Sequence, residues 1–514
     1  MYDMKDNIKI ATIISYITLI LGNLISIVYT PYMLTKLGQA EYGIFSLVDT
    51  IISYMYLLDI GFSNAIIRYN SKFIAENKKE ELKKLNGMFI GLYLIISLFA
   101  LVIGAIVFLN LDKIFASGLS TQEINLTKSM FVIAIINMVI SFPLNVFNGI
   151  IMSHERFVFL KGINLVRVIL NPIIMVSILS LGFRAYGMVV ASTIFNIILG
   201  ALSVIYCFKV LKTKFEFKEW NFGILKEISK YSFFIFLSGI AYRIYWSTDQ
   251  FILGMTVSTV AISIYTVGSQ FNGYMTSLSN VIGGMFLPKI TKLLEEKNSK
   301  EKIMSILIKV SRIQLYIVSL ILIGFILVGK EFIMVWAGEG YKLSYYIALL
   351  IMIPQVFSIV QMLFATMLEA MNKHKIKSYI YLGVSIVNLV ITILLVKDFG
   401  AIGCAIGTSI GMLLNALINN IYYSRVLNLD MKNYWRSLLK PIKVIIIPCL
   451  IGVAIKKIIT IEGYIGIFTF VVLFTLFYII IIRKYAFNTY EKNIFDNLIF
   501  RKYFRRNRDE NKRK

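Results

Sequence analysis

The sequence predicts an all-α polytopic membrane protein with about 14 transmembrane helices, grouped as two pseudo-symmetric six-helix bundles and a C-terminal helix pair. Three observations predict it. Of 514 residues, 58% are hydrophobic and only 16% are charged, and the mean hydropathy is +0.76, more apolar surface than a soluble core of this length needs. The apolar residues come in runs of about twenty, the length that crosses the hydrocarbon core of a bilayer. A segment near residue 181 also recurs near residue 397, which pairs the two halves of the chain.

The runs centre near residues 20, 52, 98, 138, 170, 198, 242, 274, 320, 357, 388, 412, 450 and 473. The first continues to Pro31 and Tyr32 with no small-residue cleavage site, so it reads as a retained span. The second belongs to residues 42–70, which read as one helix carrying polar groups where lipid should be. Tyr42, Ser46, Asp49, Ser53, Tyr56 and Ser63/Asn64 recur at steps of three, four and seven, which puts them on one longitudinal stripe. A charge at mid-membrane costs at least about 2.5–3.5 kcal/mol on insertion scales, so the stripe is expected to face other helices or a wet cavity. Asp59 falls off the centre of that stripe and Arg68 near the helix end. Pro31, Pro143, Pro172 and Pro354 fall inside spans, where each removes a backbone hydrogen bond.

The connectors at 69–85, 208–230 and 288–312 are basic, whereas those on the opposite side are short, the longest spanning 110–127. By this assignment about 42 of the 53 Lys and Arg lie on one side and about 9 on the other, which is the positive-inside pattern. The net charge of +25 therefore reads as topology rather than nucleic-acid binding, and both termini are expected in the cytoplasm. The basic end, RKYFRRNRDENKRK, suits a solvated tail or an anionic lipid surface. Cys207, Cys404 and Cys449 fall in or at the ends of apolar helices without paired spacing, which implies neither a disulfide framework nor a metal site.

The repeat aligns residues 181–211 with 397–427 without gaps. Phe183/Phe399, Ala185/Ala401, Gly187/Gly403, Ile194/Ile410 and Tyr206/Tyr422 coincide, and at a slightly larger offset so do Tyr42/Tyr265, Ser46/Ser269 and Gly61/Gly284. Six helices separate equivalent points, so the halves share one orientation and an axis along the membrane normal. This organises the chain as an N-terminal six-helix lobe (1–210), a cytoplasmic connector (211–230), a C-terminal six-helix lobe (231–425), accessory helices 13 and 14 (426–483) and a basic cytoplasmic tail (484–514). Such an arrangement places a site on the axis and moves it by rocking. Gly403, Gly407 and Gly411, spaced by four, permit close helix approach.

Few motifs carry chemistry. Residues 324–331 imitate a phosphate-binding loop, but Glu331 stands where Ser or Thr is required and the segment ends an apolar helix. His154 and His374 sit in short connectors, and His154-Glu155 lacks the second histidine of a zinc helix. No nucleophile or paired-carboxylate arrangement survives the topology, so no catalytic residue, metal or cofactor is predicted. Intramembrane charge remains. Arg243 lies about twelve residues into its span, roughly 18 Å deep, as an anion site or as the partner of an acidic neighbour. Arg167 lies about 9 Å from the start of its helix and could snorkel. Arg68 is interfacial but near the cavity mouth. Asp49, Asp59, Asp249 and Glu369 are the cavity or ion-coupling candidates, with a proton or sodium gradient as the coupling source.

Residues 31–70, with Leu37-Gly38, Tyr42-Gly43 and Leu58-Asp59-Ile60-Gly61, resemble the opening of the polysaccharide-biosynthesis branch of the multidrug/oligosaccharidyl-lipid/polysaccharide exporter superfamily. Asp249-Gln-Phe-Ile-Leu-Gly254 and Phe399-Gly-Ala-Ile-Gly403 are similar to its second-half signatures, and the likeness covers practically the whole chain. The resemblance implies an O-antigen or oligosaccharide flippase in the bacterial cytoplasmic (inner) membrane. Such a protein moves undecaprenyl-pyrophosphate-linked sugar units between leaflets for O-antigen, capsule or exopolysaccharide assembly. It implies a lipid-linked oligosaccharide and membrane lipids as partners, with polysaccharide polymerase and chain-length machinery as further candidates. Basic cavity residues hold the pyrophosphate in that family, and Arg243, Arg167 and Arg68 are the positions here that could serve. Two other readings compete. A cation-coupled multidrug exporter would prefer an acidic cavity, and a membrane glycan polymerase or ligase would be expected to carry a large external loop that this sequence lacks.

Overall fold

The computed structural model describes residues 4–496 apart from 60, 219, 284–285, 295, 297–298, 372 and 459–460. The last part of the expected basic tail, 497–514, lies outside the described residues. Every apolar run lies in a helix. In chain order these are α1 (Met4–Met55), α2 (Phe62–Ala75), α3 (Lys79–Phe115), α4 (Thr121–Ser153), α5 (Phe157–Ser180), α6 (Ala185–Lys209), α7 (Phe222–Thr256) and α8 (Thr259–Gly283). There follow α9 (Leu287–Leu294), α10 (Ser299–Trp336), α11 (Lys342–Val360), α12 (Met362–Ala370), α13 (His374–Arg425), α14 (Met431–Ile458) and α15 (Gly463–Ile481). Among the described residues, ten segments are long and apolar enough to cross a membrane; α7 and α8, diluted by polar residues, are not among them.

Two of the helices each hold two apolar runs, divided at a glycine. Gly38 in α1 has φ +75° and Gly400 in α13 has φ +54°, backbone conformations that side chains with a Cβ resist. Gly400 makes α13 a hairpin. A Cβ on Gly403 would meet the Leu395 carbonyl at 2.5 Å and one on Gly407 would meet Thr392 Oγ1 at 2.4 Å, so partners recede along the first arm as the second advances. The small-residue spacing thus serves close packing, as the sequence implies. In the aligned N-terminal segment the corresponding break is the turn at Gly182 between α5 and α6.

One expectation is corrected. Residues 42–70 are not a single helix: α1 ends at Met55, a 3₁₀ turn covers Tyr56–Asp59, and Gly61, at φ +72°, restarts the chain as α2. The polar stripe is therefore interrupted after Ser53. The break has a local reason, since the Asp59 carboxylate accepts from Ser63 Oγ at 3.0 Å and from the fully buried Tyr93 hydroxyl on α3, pinning the turn.

The chain packs as two compact units. The first comprises Met1–Gln270 with Ser378–Gly411, and the second Phe271–Lys377 with Met412–Lys514. In the first, backbones approach closely around the α7–α8 turn: a Cβ on Gly43 would lie 1.9 Å from the Thr259 carbonyl, and one on Gly118 would lie 2.1 Å from that of Gly254. Thr259 also donates to Glu123 of α4, whose other carboxylate oxygen receives the Ser120 backbone amide at 2.8 Å and completes a capping box. In the second unit, Arg312 of α10 is buried against Glu491, which follows α15, and pins the end of the described chain.

Candidate functional site

Three polar constellations occupy the first unit. The first lies along the seam of α1, α7 and α8. The Thr50 hydroxyl pairs with Gln250 Oε1, and Gln250 Nε2 donates to Thr266 Oγ1 at 3.0 Å. The Tyr54 hydroxyl pairs with Thr248 and reaches the Arg243 carbonyl at 3.1 Å, while Gln270 Nε2 donates to Thr30 Oγ1 at 3.2 Å. Such bonds tie spans together without charge. They also fix which way α7 turns its remaining polar groups.

Arg243 is half-buried, and among the described residues its guanidinium makes neither hydrogen bond nor ion pair. Asp49 is exposed although it lies inside α1, and its interaction with Arg243 is electrostatic, without ion-pair contact. A guanidinium has five donors, and in hydrocarbon an unmet polar group costs several kcal/mol. Asp49 thus acts on Arg243 at a distance and takes up none of its donors, which suits an anion or water as their partner. Asp49 is the acidic neighbour that the other sequence reading calls for, within electrostatic range of Arg243 and not in ion-pair contact among the described residues.

The second constellation surrounds Asp249, one turn and a half further along α7 and only 2% exposed. Its carboxylate accepts from Thr408 Oγ1 at 2.7 Å, from Thr392 Oγ1 at 3.2 Å and from the Tyr265 hydroxyl. Tyr245 completes the cage, donating its hydroxyl to the Thr408 carbonyl at 3.0 Å while Asn388 Nδ2 reaches the Tyr245 carbonyl at 3.4 Å. The α13 hairpin makes this possible, because Gly407 and Gly411 bring its second arm against Thr392, Asn388 and Tyr245. All donors are neutral hydroxyls, so a carboxylate here is hydrogen-bonded but not charge-compensated.

The third is a cavity of about 250 Å³ walled by the Tyr56 turn, α4, α5 and α6. Its lining includes Ser141, Asn145, Asn148, Arg167, Asn196 and Ser203. Of the candidates named from sequence, this cavity takes Arg167, whose exposed guanidinium has no ion pair among the described residues and interacts electrostatically with Tyr56. Tyr56 in turn reaches Ser141 and is within electrostatic range of Asp49. Sequence reasoning missed the amides. The signal existed: Asn145 and Asn148 lie three apart on α4, and Asn196, Gly200 and Ser203 lie four and three apart on α6, each set on one helix face.

The remaining candidates stand elsewhere. Asp59 is committed to Tyr93 and Ser63, and Arg68 lies exposed on α2 beyond the break, 5.9 Å from the Tyr69 ring centre. Glu369 belongs to the second unit, exposed at the end of α12 and interacting with Lys377.

Comparison with known proteins places this geometry in a group. The sequence profile of the family described as "Polysaccharide biosynthesis protein" matches residues 10–294. A Shigella flexneri protein assigned as an O-antigen transporter is 22% identical over 418 residues, covering 78% of this chain and 94% of that protein. Among solved structures, a lipid II flippase in an inward closed conformation superposes with a TM-score of 0.67 at 15% identity, covering 96% of this chain and 99% of the other. An inward-facing multidrug transporter of the same superfamily gives 0.57 at 16% identity over 78% and 92%. At such identities the structural likeness establishes the fold, a polytopic helical membrane architecture.

Proposed function

Because the chain belongs to the polysaccharide biosynthesis protein family, we propose that it is a flippase for lipid-linked oligosaccharides, carried on undecaprenyl pyrophosphate in a bacterial cytoplasmic membrane. The observation that carries this reading is Arg243: a cation within α7, half-buried, without an ion pair among the described residues, and in electrostatic range of Asp49. A pyrophosphate supplies the missing partner, since a guanidinium binds phosphate oxygens in pairs and strongly where water is scarce. The relatives support the cargo class, being assigned as an O-antigen transporter or named as a lipid II flippase. Whether the product is O-antigen, capsule or exopolysaccharide follows from the sugars, which these residues do not specify.

Translocation by alternating access fits a chain with two similar halves and helices divided at Gly38 and Gly400. Cargo enters from the cytoplasmic leaflet, where both termini are placed by the positive-inside pattern. A potential negative inside favours outward movement of negative charge by about 2.3 kcal/mol per charge per 100 mV. Asp249 is the coupling residue in this scheme. Its carboxylate sits among neutral hydroxyls that a proton or a sodium ion would join without rearranging the helices. The multidrug exporter reading is disfavoured by Arg243 and Arg167, which have no ion pair among the described residues and repel a cationic drug. The polymerase reading finds no support in the transporter assignments of the matched relatives.

The test is leaflet exchange in proteoliposomes loaded with a polyprenyl-pyrophosphate-linked saccharide. Arg243→Ala is expected to lower exchange at least ten-fold, with Arg243→Lys restoring part of it. Asp249→Asn is expected to abolish the dependence on an imposed proton or sodium gradient. Full exchange by Arg243→Ala removes that residue from the site, and drug efflux without saccharide exchange replaces the reading by the exporter.

A further inference from the structure

Most polar side chains inside the spans of the first unit have protein partners. The cavity walled by the Tyr56 turn, α4, α5 and α6 is different. Asn148 accepts from Ser203 Oγ at 2.8 Å, and Ser141 donates to Asn137 Oδ1 at 3.4 Å, so one side of the cavity is internally bonded. Asn145 and Asn196, from α4 and α6, line the same space, are half-buried and make no hydrogen bond among the described residues; nor does Arg167 from α5.

An amide used for helix packing is bonded to backbone or to another side chain, because within hydrocarbon nothing else meets its needs. Two amides with donors and acceptors both vacant, converging on one cavity, are arranged for something that brings both kinds of group. Water does so, and a cavity of about 250 Å³ has room for several molecules. A ligand replacing that water has to reproduce its hydrogen bonds, and apolar cargo cannot. A ring bearing hydroxyl and acetamido groups can. The guanidinium of Arg167 in the same lining adds a demand for negative charge beside that ring.

We infer that this cavity is a subsite for a glycosyl phosphate: Asn145 and Asn196 pair with the hydroxyl and amide groups of one sugar ring, and Arg167 meets the phosphate attached to it. The inference rests on the flippase reading for the source of the ligand, the sugar next to the pyrophosphate of the lipid-linked cargo. It divides the labour among the arginines. Arg243 takes the pyrophosphate on the α1–α7 seam, and Arg167 acts where the first sugar is recognised.

The experiment reads occupancy without transport. In Ser141→Cys, a small change in the cavity wall, the introduced thiol is labelled with a water-soluble methanethiosulfonate, with the unsubstituted protein giving the background from Cys207, Cys404 and Cys449. N-acetylglucosamine 1-phosphate is expected to slow labelling at least five-fold, and N-acetylglucosamine or inorganic phosphate at the same concentration to slow it less. Adding Asn145→Leu and Asn196→Leu should remove the protection, and adding Arg167→Gln, an exposed position, should reduce the sugar phosphate to the effect of the sugar. Equal protection by inorganic phosphate makes the cavity an anion site only and overturns the inference, as does a thiol that the reagent never reaches or the sugar phosphate never protects. Protection in a protein that exchanges no lipid-linked saccharide sinks the transport reading alone, whereas exchange without protection sinks the subsite alone.

Discussion

Arg312 and Arg243 both lie inside long helices of an apolar chain, and they are treated in opposite ways. Arg312, on α10, donates Nη1 to the Ser437 carbonyl at 2.9 Å and Nη2 to Tyr316, to the Ala486 carbonyl and to Glu491 Oε2, with Nε also on Glu491. Glu491 receives the Asn488 backbone amide as well, at 2.8 Å. The fork is saturated, and the side chains of the pair are 10% and 3% exposed. Among the described residues, Arg243 and Arg167 have no such partners. A buried charge that the protein satisfies completely is architecture, because nothing remains to bind with. A charge inside a span that the protein leaves open carries its cost without return, unless cargo or water supplies the other half.

The sharpest way to break this contrast is Arg312→Ala. Removing one member leaves Glu491 buried without its cation, which costs on the order of 3–5 kcal/mol, so the expected result is loss of a folded peak in detergent or a large fall in thermal midpoint. Arg312→Lys should recover only part, since an ammonium cannot reproduce the fork. Arg243→Ala, measured alongside, is expected to leave the midpoint unchanged or higher, and a comparable fall there would erase the distinction between the two arginines.

A smaller effect tests whether the open groups are held in a rigid frame. Gly43 is where α1 passes the α7–α8 turn, and an added Cβ would stand 1.9 Å from a backbone oxygen that no rotamer change can move. Gly43→Ala should destabilise by about 1–3 kcal/mol, as overpacking does, and lower saccharide exchange with it, measured by thermal unfolding and leaflet exchange. Unchanged values in both assays would mean that the seam yields, and that its spacing does not set the gap between Asp49 and Arg243.

How much of this was legible in the sequence follows from the physics of each feature. The spans were, because twenty apolar residues in a row have one use; even α7 and α8, too polar for a strict hydropathy threshold, centred where the runs near 242 and 274 placed them. The two arms of α13 were foreshadowed by the separate runs near 388 and 412, and their close contact by the glycines spaced by four. The break after Met55 was not, because Tyr56 and Ser63 continue the helical period of the stripe, and the bonds from Tyr93 and Ser63 to Asp59 that pin the turn are tertiary or depend on it. Arg167 and Arg243 stand out as charges inside apolar spans, whereas Arg312 reads from sequence as the end of the basic connector 288–312. Tyr316, one turn on, is a local partner of Arg312, but its main partners lie 125 to 179 residues away, out of reach of sequence reasoning. Asn145 and Asn196 each look like a lone polar residue in an apolar run, and only the packing of α4 against α6 makes them a pair.

The contrast also predicts where a charge pair should matter least. Lys456, in the last turn of α14, contacts Glu331 of α10 at 2.9 Å, within the same unit as Arg312 and with comparable distance between the charges. The side chains are 30% and 28% exposed, however, at the ends of α10 and α14, where the protein leaves both ions partly uncovered and their attraction open to screening. If saturation alone made a pair architectural, Lys456→Met would resemble Arg312→Ala. If burial decides, the pair contributes within about 1 kcal/mol, as exposed pairs do, and the methionine retains most of the apolar stem that packs beside α10. The expected thermal midpoint is therefore within a degree or two of the parent, insensitive to salt, with saccharide exchange intact. A fall approaching that of Arg312→Ala would show that pairing, rather than removal from water, is what this protein uses to turn a charge into structure, and the open arginines would then have to be explained by something other than the ligand they lack.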